Sequence, residues 1–194
     1  MHSGTHGAKD GAQPGSWPTV LVLASGRGER FTASGGSTHK LQALLAGKPV
    51  LQHTLDAVAA SGLPWHLENA GHPGMGDSIA AAVRTTPQAS GWLILPADLP
   101  LVQGSTLRAV AQALAQHAVV IPVFNGVRGH PVGFSAACRA GLLGLQGDQG
   151  AASVVRAQEA VNSVAFIDVT DPGTVTDIDT LEDLRRAEML LGQR

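Results

Sequence analysis

The feature that most constrains the fold is a regular alternation of short apolar runs with amphipathic stretches. Four β-branched, apolar runs are each typical of a strand buried on both faces: 19–24, 92–98, 118–124 and 163–169. Four stretches have the spacing of a helix: 48–62, 77–86, 105–117 and the segment that starts at 179. This alternation predicts a three-layer α/β/α domain with a mostly parallel sheet.

Several residues indicate where the helices begin. Pro49 suits the first position of a helix, where its missing N–H is not needed. Asp77 or Ser78 is expected to cap the second helix. Thr180 and Asp183 have the spacing of a capping box, so the last helix is expected to start there.

Size and composition limit the class of protein. With 194 residues, 44% of them hydrophobic and 14% charged, the chain is expected to fold as one domain. A polar, glycine-rich flexible leader is predicted at 1–18, with the domain at 19–194. A net charge of -2 disfavours nucleic-acid binding, and no apolar run approaches the roughly 20 residues of a membrane helix. A single cysteine fits a cytoplasmic protein.

A glycine-rich turn, "LASGRGERF", directly follows the first predicted strand. The backbone amides of such a turn can surround phosphate oxygens, and nearby cations neutralise the phosphate charge. Arg27 and Arg30 lie in the turn, and Lys40 follows shortly after it. The turn therefore predicts a phosphate-binding site, with a purely structural corner as the alternative.

The same turn does not fit two common nucleotide motifs. Phe31 stands where a dinucleotide fingerprint has its third glycine, and no carboxylate follows about 20 positions later. No Gly-Lys-Ser/Thr follows either, which disfavours a Walker motif. Asp98 ends another predicted strand, and ligands of such folds lie beyond the carboxyl ends of the strands. The turn and Asp98 are therefore expected to share one site.

The turn and several later stretches resemble the nucleotidyltransferases that activate the molybdenum cofactor. Their usual signature, L-A-[AG]-G-x-[SG]-x-R-[FM] followed by Lys, is similar to "LASGRGERF" with Lys40. Five further stretches agree in order: "GMGDSIAAAV", "PADLPLV", "GHPVGF", "GDQGA" and "DIDTLEDL". "GHPVGF" and "DIDT" are most similar to the cytidylyltransferase branch. The resemblance implies a Rossmann-like nucleotidyltransferase fold over most of the chain.

The resemblance also implies a reaction and its residues. A nucleoside monophosphate would pass from a nucleoside triphosphate to a phosphorylated acceptor, the pterin of the molybdenum cofactor, with release of pyrophosphate. The implied catalytic residues are Arg30, Lys40 and Asp98. Mg²⁺ would be held by Asp98 and by a second carboxylate, for which Asp179 is preferred over Asp177, with capping of the last helix as the alternative role of Asp179.

The nucleotide and the acceptor are assigned to different parts of the chain. The residues implied to bind nucleotide are Leu23, Ala24, Ser25, Gly26, Arg27, Gly28, Lys40, Gly74, Met75, Gly76 and Ser78. Those implied to line the acceptor side are His130, Pro131 and Asp148, although His130 could instead anchor a loop and Asp148 could cap a helix. CTP is favoured over GTP, because "LASG" is closer to the "LAAG" of the cytidine branch than to the "LAGG" of the guanosine branch.

One departure from the family pattern keeps other functions open. Only residues 63–74 separate the first long helix from "GMG", where the family has a strand, a helix and another strand. This middle βα unit is therefore predicted to be shortened to one strand near "WHLEN". A non-catalytic carrier or maturation chaperone that serves a molybdenum-enzyme client is the alternative, and a nicotinamide or flavin oxidoreductase ranks last. Release of pyrophosphate would distinguish the transferase from both.

Overall fold

The computed structural model describes residues 17–26 and 28–193 of the chain. Its strands, β1 to β9 in chain order, are Thr19–Leu23, Leu44–Leu45, Lys48–Pro49, Trp65–Glu68, Gly91–Pro96, Val119–Phe124, Val127–Arg128, Val132–Ser135 and Val164–Asp168. Its helices, α1 to α7, are Glu29–Ala33, Val50–Ser61, Met75–Thr85, Gly104–Ala113, Arg139–Leu143, Ala152–Glu159 and Leu181–Leu191.

Seven of the strands form one sheet. The strand order is β4-β1-β5-β8-β6, with β7 and β9 also paired to β6. Strands β4, β1, β5, β6 and β9 run in the same direction, whereas β8 and β7 run against them. The sheet is therefore mostly parallel, as the sequence predicts, and the carboxyl ends of five strands meet at one edge.

Helices cover both faces of the sheet, because successive strand residues point to opposite sides. Val20 and Val22 belong to a core shared with α2, α4 and α7. Leu21 and Leu23 belong to a second core shared with α3, α5 and α6. Two cores separated by one sheet make the three-layer α/β/α architecture, which confirms the predicted fold class.

The start of α3 differs from the prediction. Neither Asp77 nor Ser78 caps this helix, since it begins at Met75 and Gly74 occupies the cap position. A long-range contact explains the earlier start: the Gly76 N–H donates to the Gly147 carbonyl at 2.8 Å, and the Asp77 carboxylate accepts from the Gly147 N–H at 2.9 Å. The first turn is therefore satisfied by a distant loop rather than by its own side chains.

The other helix starts follow the sequence more closely. Pro49 lies at the cap position of α2, one residue before the predicted place. The capping box of Thr180 and Asp183 at the start of α7 is confirmed, with both of its reciprocal hydrogen bonds present.

The shortened middle of the chain forms a single strand, as predicted. Strand β4 pairs with β1 only, so among the described residues no strand covers its outer edge. Strand β8, in contrast, was not predicted. It is four residues long and contains Gly133, so its apolar run is too short to indicate a strand by pattern alone.

The first described residues belong to the folded body. Of the leader expected at 1–18, only Trp17 and Pro18 fall within the described residues, and Trp17 packs against the first core. None of the helices in 17–26 and 28–193 combines the length and the apolar character that crossing a bilayer requires.

Candidate functional site

A cavity of about 840 Å³ opens at the edge where the parallel strands end. Twelve of the residues predicted for the site line it: Leu23, Ser25, Gly26, Gly28, Arg30, Lys40, Gly74, Met75, Asp98, His130, Asp148 and Asp179. Four predicted residues do not: Ala24, Gly76, Ser78 and Pro131. Arg27 lies outside the described residues. The topology thus gathers most of the predicted site from distant parts of the chain.

Lys40 and two carboxylates form the charged centre of this cavity. The Lys40 Nζ lies 2.5 Å from an Asp98 oxygen and 2.7 Å from an Asp179 oxygen. The Arg30 guanidinium lies 2.7 Å from the other oxygen of Asp179 and is largely exposed. The side chains of Lys40 and Asp98 are only 12% and 15% exposed, so this ion pair is partly shielded from solvent.

Backbone hydrogen bonds fix the position of Asp98. The Ala97 N–H donates to the Leu23 carbonyl at 3.0 Å, and the Thr54 hydroxyl donates to the Ala97 carbonyl at 2.9 Å. The Ile178 N–H donates to the Asp98 carbonyl at 3.0 Å. Because Ile178 directly precedes Asp179, this last bond joins the two segments that carry the carboxylates.

Asp179 was predicted to face the site, with helix capping as the alternative. Thr180 caps α7, and Asp179 contributes only its backbone N–H, which donates to Asp183 at 3.2 Å. The Asp179 carboxylate is therefore directed to Lys40 and Arg30 rather than to the helix. Asp177, the less favoured choice, also lines the cavity.

A buried aspartate that the sequence did not indicate supports this region. The Asp171 carboxylate accepts hydrogen bonds from the Gln103 N–H, the Thr106 hydroxyl and the Gly173 N–H, at 2.8 to 2.9 Å. These bonds hold the turn after Asp171 against the start of α4, and Thr174 of this turn lines the cavity. A buried carboxylate is kept in place by such donors, since unpaired it would be strongly destabilising.

Lys40 remains charged in this setting. Burial lowers the pKa of Lys40, but the nearby charges and hydrogen bonds of Asp98 and Asp179 outweigh it and hold the pKa above its usual value. The cavity therefore holds a fixed ammonium group between two carboxylates. Such a group can bind phosphate oxygens as well as carboxylate oxygens.

The two carboxylates also suit a hard divalent cation. Asp98 uses one oxygen for Lys40, while its Oδ1 atom is buried without a hydrogen-bond partner. Mg²⁺ binds through one or two carboxylates together with phosphates and water. Within the described residues no group of three or more His, Cys, Asp or Glu side chains could hold a metal, so the protein itself offers two oxygen donors here. This donor set fits Mg²⁺ that is bound together with a triphosphate.

The glycine turn is held by a histidine that the sequence did not assign to the site. The Leu41 N–H donates to His39 Nδ1 at 3.3 Å, and the ring's Nε2 lies 2.8 Å from the Gly26 carbonyl. The ring therefore donates from Nε2 to the turn. Gly28 has a φ of 67°, and a Cβ there would come within 3.3 Å of His39, so the turn requires glycine at this position.

The opposite end of the cavity lies beside the edge strand β4. Ser25 and Ser78 share a hydrogen bond of 2.6 Å between their hydroxyl oxygens, so Ser78 reaches the site through Ser25 although it does not line the cavity. The buried Glu68 carboxylate accepts from the Ala70 N–H and from His72 Nε2, both at 3.1 Å. His72 lines the cavity and is the polar side chain that the shortened segment contributes.

The two glycines of "GMG" have a packing role. A Cβ on Gly74 would lie 2.1 Å from Gly147, and one on Gly76 would lie 2.7 Å from the Gln149 carbonyl. The loop at 146–149 thus packs directly on the start of α3. Asp148, in this loop, does not cap the following helix, because Ala151 occupies the cap position of α6.

His130 lines the cavity as well. Burial lowers its pKa, so the imidazole is neutral near pH 7, and its Nδ1 atom is buried without a hydrogen-bond partner. Its backbone N–H donates to the Thr174 carbonyl at 2.9 Å.

Comparison with known proteins fits this geometry. The family model of the MobA-like NTP transferase domain matches residues 20–161, which include the glycine turn, Lys40 and Asp98. The chain belongs to this family. The match ends before Asp179, so the second carboxylate is assigned by the structure and by the sequence resemblance alone.

One curated relative matches only part of this chain. The chain is 34% identical over 119 residues to the purine catabolism protein PucB of Bacillus subtilis (strain 168), which is 59% of this chain and 57% of PucB. The match thus spans little more than half of that relative.

Solved structures of other proteins superpose on most of the chain. Rv0371c from Mycobacterium tuberculosis H37Rv gives a TM-score of 0.70 at 24% identity and covers 89% of this chain and 97% of that one. Its manganese complex gives 0.67 at 23%, covering 89% and 98%. The nucleotidyl transferase Mth528 from Methanothermobacter thermautotroptrophicus gives 0.74 at 19%, covering 92% and 99%. At these identities the likeness concerns the fold.

Proposed function

We propose that the protein is a Mg²⁺-dependent nucleotidyltransferase that transfers CMP from CTP to the phosphorylated pterin of the molybdenum cofactor and releases pyrophosphate. The observation that carries the proposal is the contact of Lys40 with both Asp98 and Asp179 beside the glycine turn. Membership of the MobA-like NTP transferase domain family supports the reaction class. The choice of CTP and of the pterin acceptor rests on the sequence resemblance.

The side chains in the cavity suit phosphoryl chemistry. In this reaction negative charge develops on the α-phosphoryl group and on the leaving pyrophosphate, and the acceptor phosphate is itself the nucleophile. Positioning and positive charge therefore matter more than a covalent nucleophile. Lys40 and Arg30 supply two cations, and the amides of the turn supply donors for the phosphate oxygens.

Asp98 and Asp179 would hold the divalent cation. When bound, this cation would neutralise and orient the phosphate oxygens. Asp98 retains one buried oxygen without a partner, and Asp179 is held close to it through Ile178. The manganese complex of the similar Rv0371c supports a divalent metal for this fold.

The base and the acceptor are assigned to different residues of the cavity. The cytosine would lie beside Ser25, His72 and Met75, at the end near β4. The acceptor would lie beside His130 and Asp148. We further infer a cytoplasmic location, because the single cysteine, Cys138, is a buried free thiol.

A second candidate function is a carrier that binds nucleotide or finished cofactor for a molybdenum-enzyme client. The observation that favours it is the shortened middle segment: within residues 17–26 and 28–193 no strand pairs with the outer edge of β4, which lies beside the base end of the cavity. The carrier would bind the nucleotide without releasing pyrophosphate. The retained Lys40 and Asp98 contacts favour the enzyme.

Two measurements test these functions together. The first is calorimetric titration with CTP, GTP, ATP and NADH, each with and without Mg²⁺. The second is detection of pyrophosphate with Mg²⁺, CTP and molybdopterin. We expect Mg²⁺-dependent binding that is tightest for CTP, and release of pyrophosphate that requires the acceptor. Binding of CTP without pyrophosphate would favour the carrier. Binding of none of the four would contradict the transferase and leave a carrier of the finished cofactor as the remaining function.

A further inference from the structure

A second cavity, of about 630 Å³, adjoins the first. The two cavities share wall residues: Leu23, Met75, Pro96, Arg128 and His130. The second cavity extends between α6 and the face of the sheet, away from Lys40 and Asp98. A ligand that enters the first cavity can therefore extend into the second without leaving the protein.

The walls of the second cavity are mostly apolar. They are formed by side chains that are otherwise part of the core, among them Ile79, Ile94, Ile121 and Phe134. A sugar or another polyhydroxylated group would leave its hydroxyls without hydrogen-bond partners against such walls, which disfavours its binding. A flat ring, in contrast, buries two apolar faces and needs partners only along its edge.

Polar groups lie where the edge of a flat ring in the second cavity would need hydrogen-bond partners. His130 lies at the junction of the two cavities, neutral and with its buried Nδ1 unpaired. At the rim, the Arg128 guanidinium contacts Glu159 at 3.0 Å and lies 4.6 Å from the centre of the Phe166 ring. Arg128 is therefore held in place beside the opening.

We propose that the second cavity binds an uncharged, flat heteroaromatic ring of the acceptor, while the acceptor's phosphate lies beside Asp98 and Lys40 in the first cavity. This inference rests on the proposed function, since it places part of the same acceptor. It excludes simple sugar phosphates, which have no group to fill an apolar cavity. The unpaired Nδ1 of His130 is the partner for a polar atom on the edge of the ring.

The test uses pterin, which is fluorescent and carries no phosphate, with the full chain and with Mg²⁺ and CTP present. Ala152→Trp places a large side chain at the mouth of the second cavity, because Ala152 lines it on α6. Ala157→Trp is the matched control, since Ala157 is exposed on the same helix and is not a wall residue. We expect Ala152→Trp to weaken pterin binding at least about 10-fold, and Ala157→Trp to change it less than about twofold. Binding of CTP, measured by calorimetry, should be the same in both variants.

A second variant tests the polar contact. His130→Phe keeps a ring of similar size but removes both ring nitrogens, so pterin binding should weaken by several-fold. Because the ring's bond to the Ile94 backbone is lost as well, pterin binding is measured below the unfolding temperature of the variant. Glucose 1-phosphate should not displace pterin.

The outcomes separate this inference from the proposed function. Equal pterin binding by the two tryptophan variants, or CTP binding without any pterin binding, would overturn the ring cavity and leave the transferase standing. Pterin binding that is sensitive to Ala152→Trp in a protein that does not bind CTP would support the ring cavity and overturn the transferase. Loss of both ligands in the parent protein would overturn both.

Discussion

The two ends of the first cavity are built in different ways. At the carboxylate end, Lys40, Asp98 and Asp179 come from three distant segments of the chain and are joined by ion pairs and a backbone hydrogen bond. At the sheet-edge end, Glu68 and His72 come from one short segment, the end of β4 and the turn that follows it, and contact each other. Long-range ion pairs thus hold the charged groups of the first end, whereas local hydrogen bonds hold those of the second.

This difference indicates which part of the reaction each end of the cavity serves. Phosphate chemistry requires charges at fixed distances, and the carboxylate end provides them through contacts that the whole fold supports. A base requires only shape and a few polar partners, which one segment can supply. Changes at the first end should therefore affect turnover for every nucleotide, while changes at the second should affect the choice among nucleotides.

The largest effect is expected from Asp98→Asn. The variant keeps the size of the side chain but removes the negative charge that faces Lys40 and the proposed cation. Mg²⁺-dependent CTP binding should be lost, and the pyrophosphate release rate should fall by about 100-fold or more. Asp56→Asn, an exposed change on α2, is the control and should keep full activity. Full activity of Asp98→Asn would remove Asp98 from the site.

Lys40→Met should separate two roles of the Lys40 charge: holding Asp98 and Asp179 together, and binding phosphate. Without the ammonium, Asp98 and Asp179 repel each other, so the unfolding temperature without metal should fall and added Mn²⁺ should restore it. Binding of CTP should weaken by about 10-fold or more, and binding of CMP by much less, since a charged hydrogen bond contributes about 1.5–3 kcal/mol. Calorimetry and thermal unfolding measure both effects.

The control for this change is Lys48→Met, which removes an exposed lysine that pairs with Asp56. It should change neither nucleotide binding nor the response to Mn²⁺. An equal loss of CTP and CMP binding in Lys40→Met would place Lys40 away from the β- and γ-phosphates.

The carboxylate end could be predicted from the sequence because the topology does most of the positioning. Alternating strands and helices predict a parallel sheet, and in such a sheet residues after different strands meet at one edge. Asp98 follows β5, and the glycine turn follows β1, so their proximity follows from the fold. Asp179 was singled out only by the resemblance, and it meets Lys40 from 139 positions away.

Other features depend on contacts that no local pattern contains. The early start of α3 depends on Gly147, and the position of the glycine turn depends on His39, which looks like an ordinary surface histidine in the sequence. Asp171 is buried by packing against α4, which its neighbours in the chain do not indicate. The second cavity is likewise a gap between packed elements, and a sequence contains no signal for a gap.

Ser25→Gly tests the base end, and a smaller effect is expected. In the family that the chain resembles, glycine at this position belongs to the guanosine branch. Removing the serine side chain leaves more room for a purine. The ratio of CTP to GTP affinity should therefore shift a few-fold toward GTP. Ser78→Ala is the matched control, because it removes the same 2.6 Å hydrogen bond but keeps the Ser25 side chain. An unchanged ratio in Ser25→Gly would reject a role in reading the base.

The smallest effect is expected from Glu68→Gln, measured as the pH dependence of stability. Burial raises the pKa of Glu68, but the hydrogen bonds from the Ala70 N–H and His72, together with the nearby His66, outweigh it, so the pKa lies below its usual value. The charged form is thus favoured by folding. Its contribution is present above the ordinary carboxyl pKa and is lost as the pH falls through the lowered one.

The free energy of unfolding of the parent should therefore fall more steeply than that of Glu68→Gln between about pH 5 and pH 3. Urea unfolding measures it, and Glu182→Gln, an exposed change on α7, should behave like the parent. Parallel curves for the parent and Glu68→Gln would mean that Glu68 does not hold the sheet-edge end by its charge. The difference between the two ends would then rest on packing rather than on electrostatics, because the local ion pairs would contribute nothing measurable.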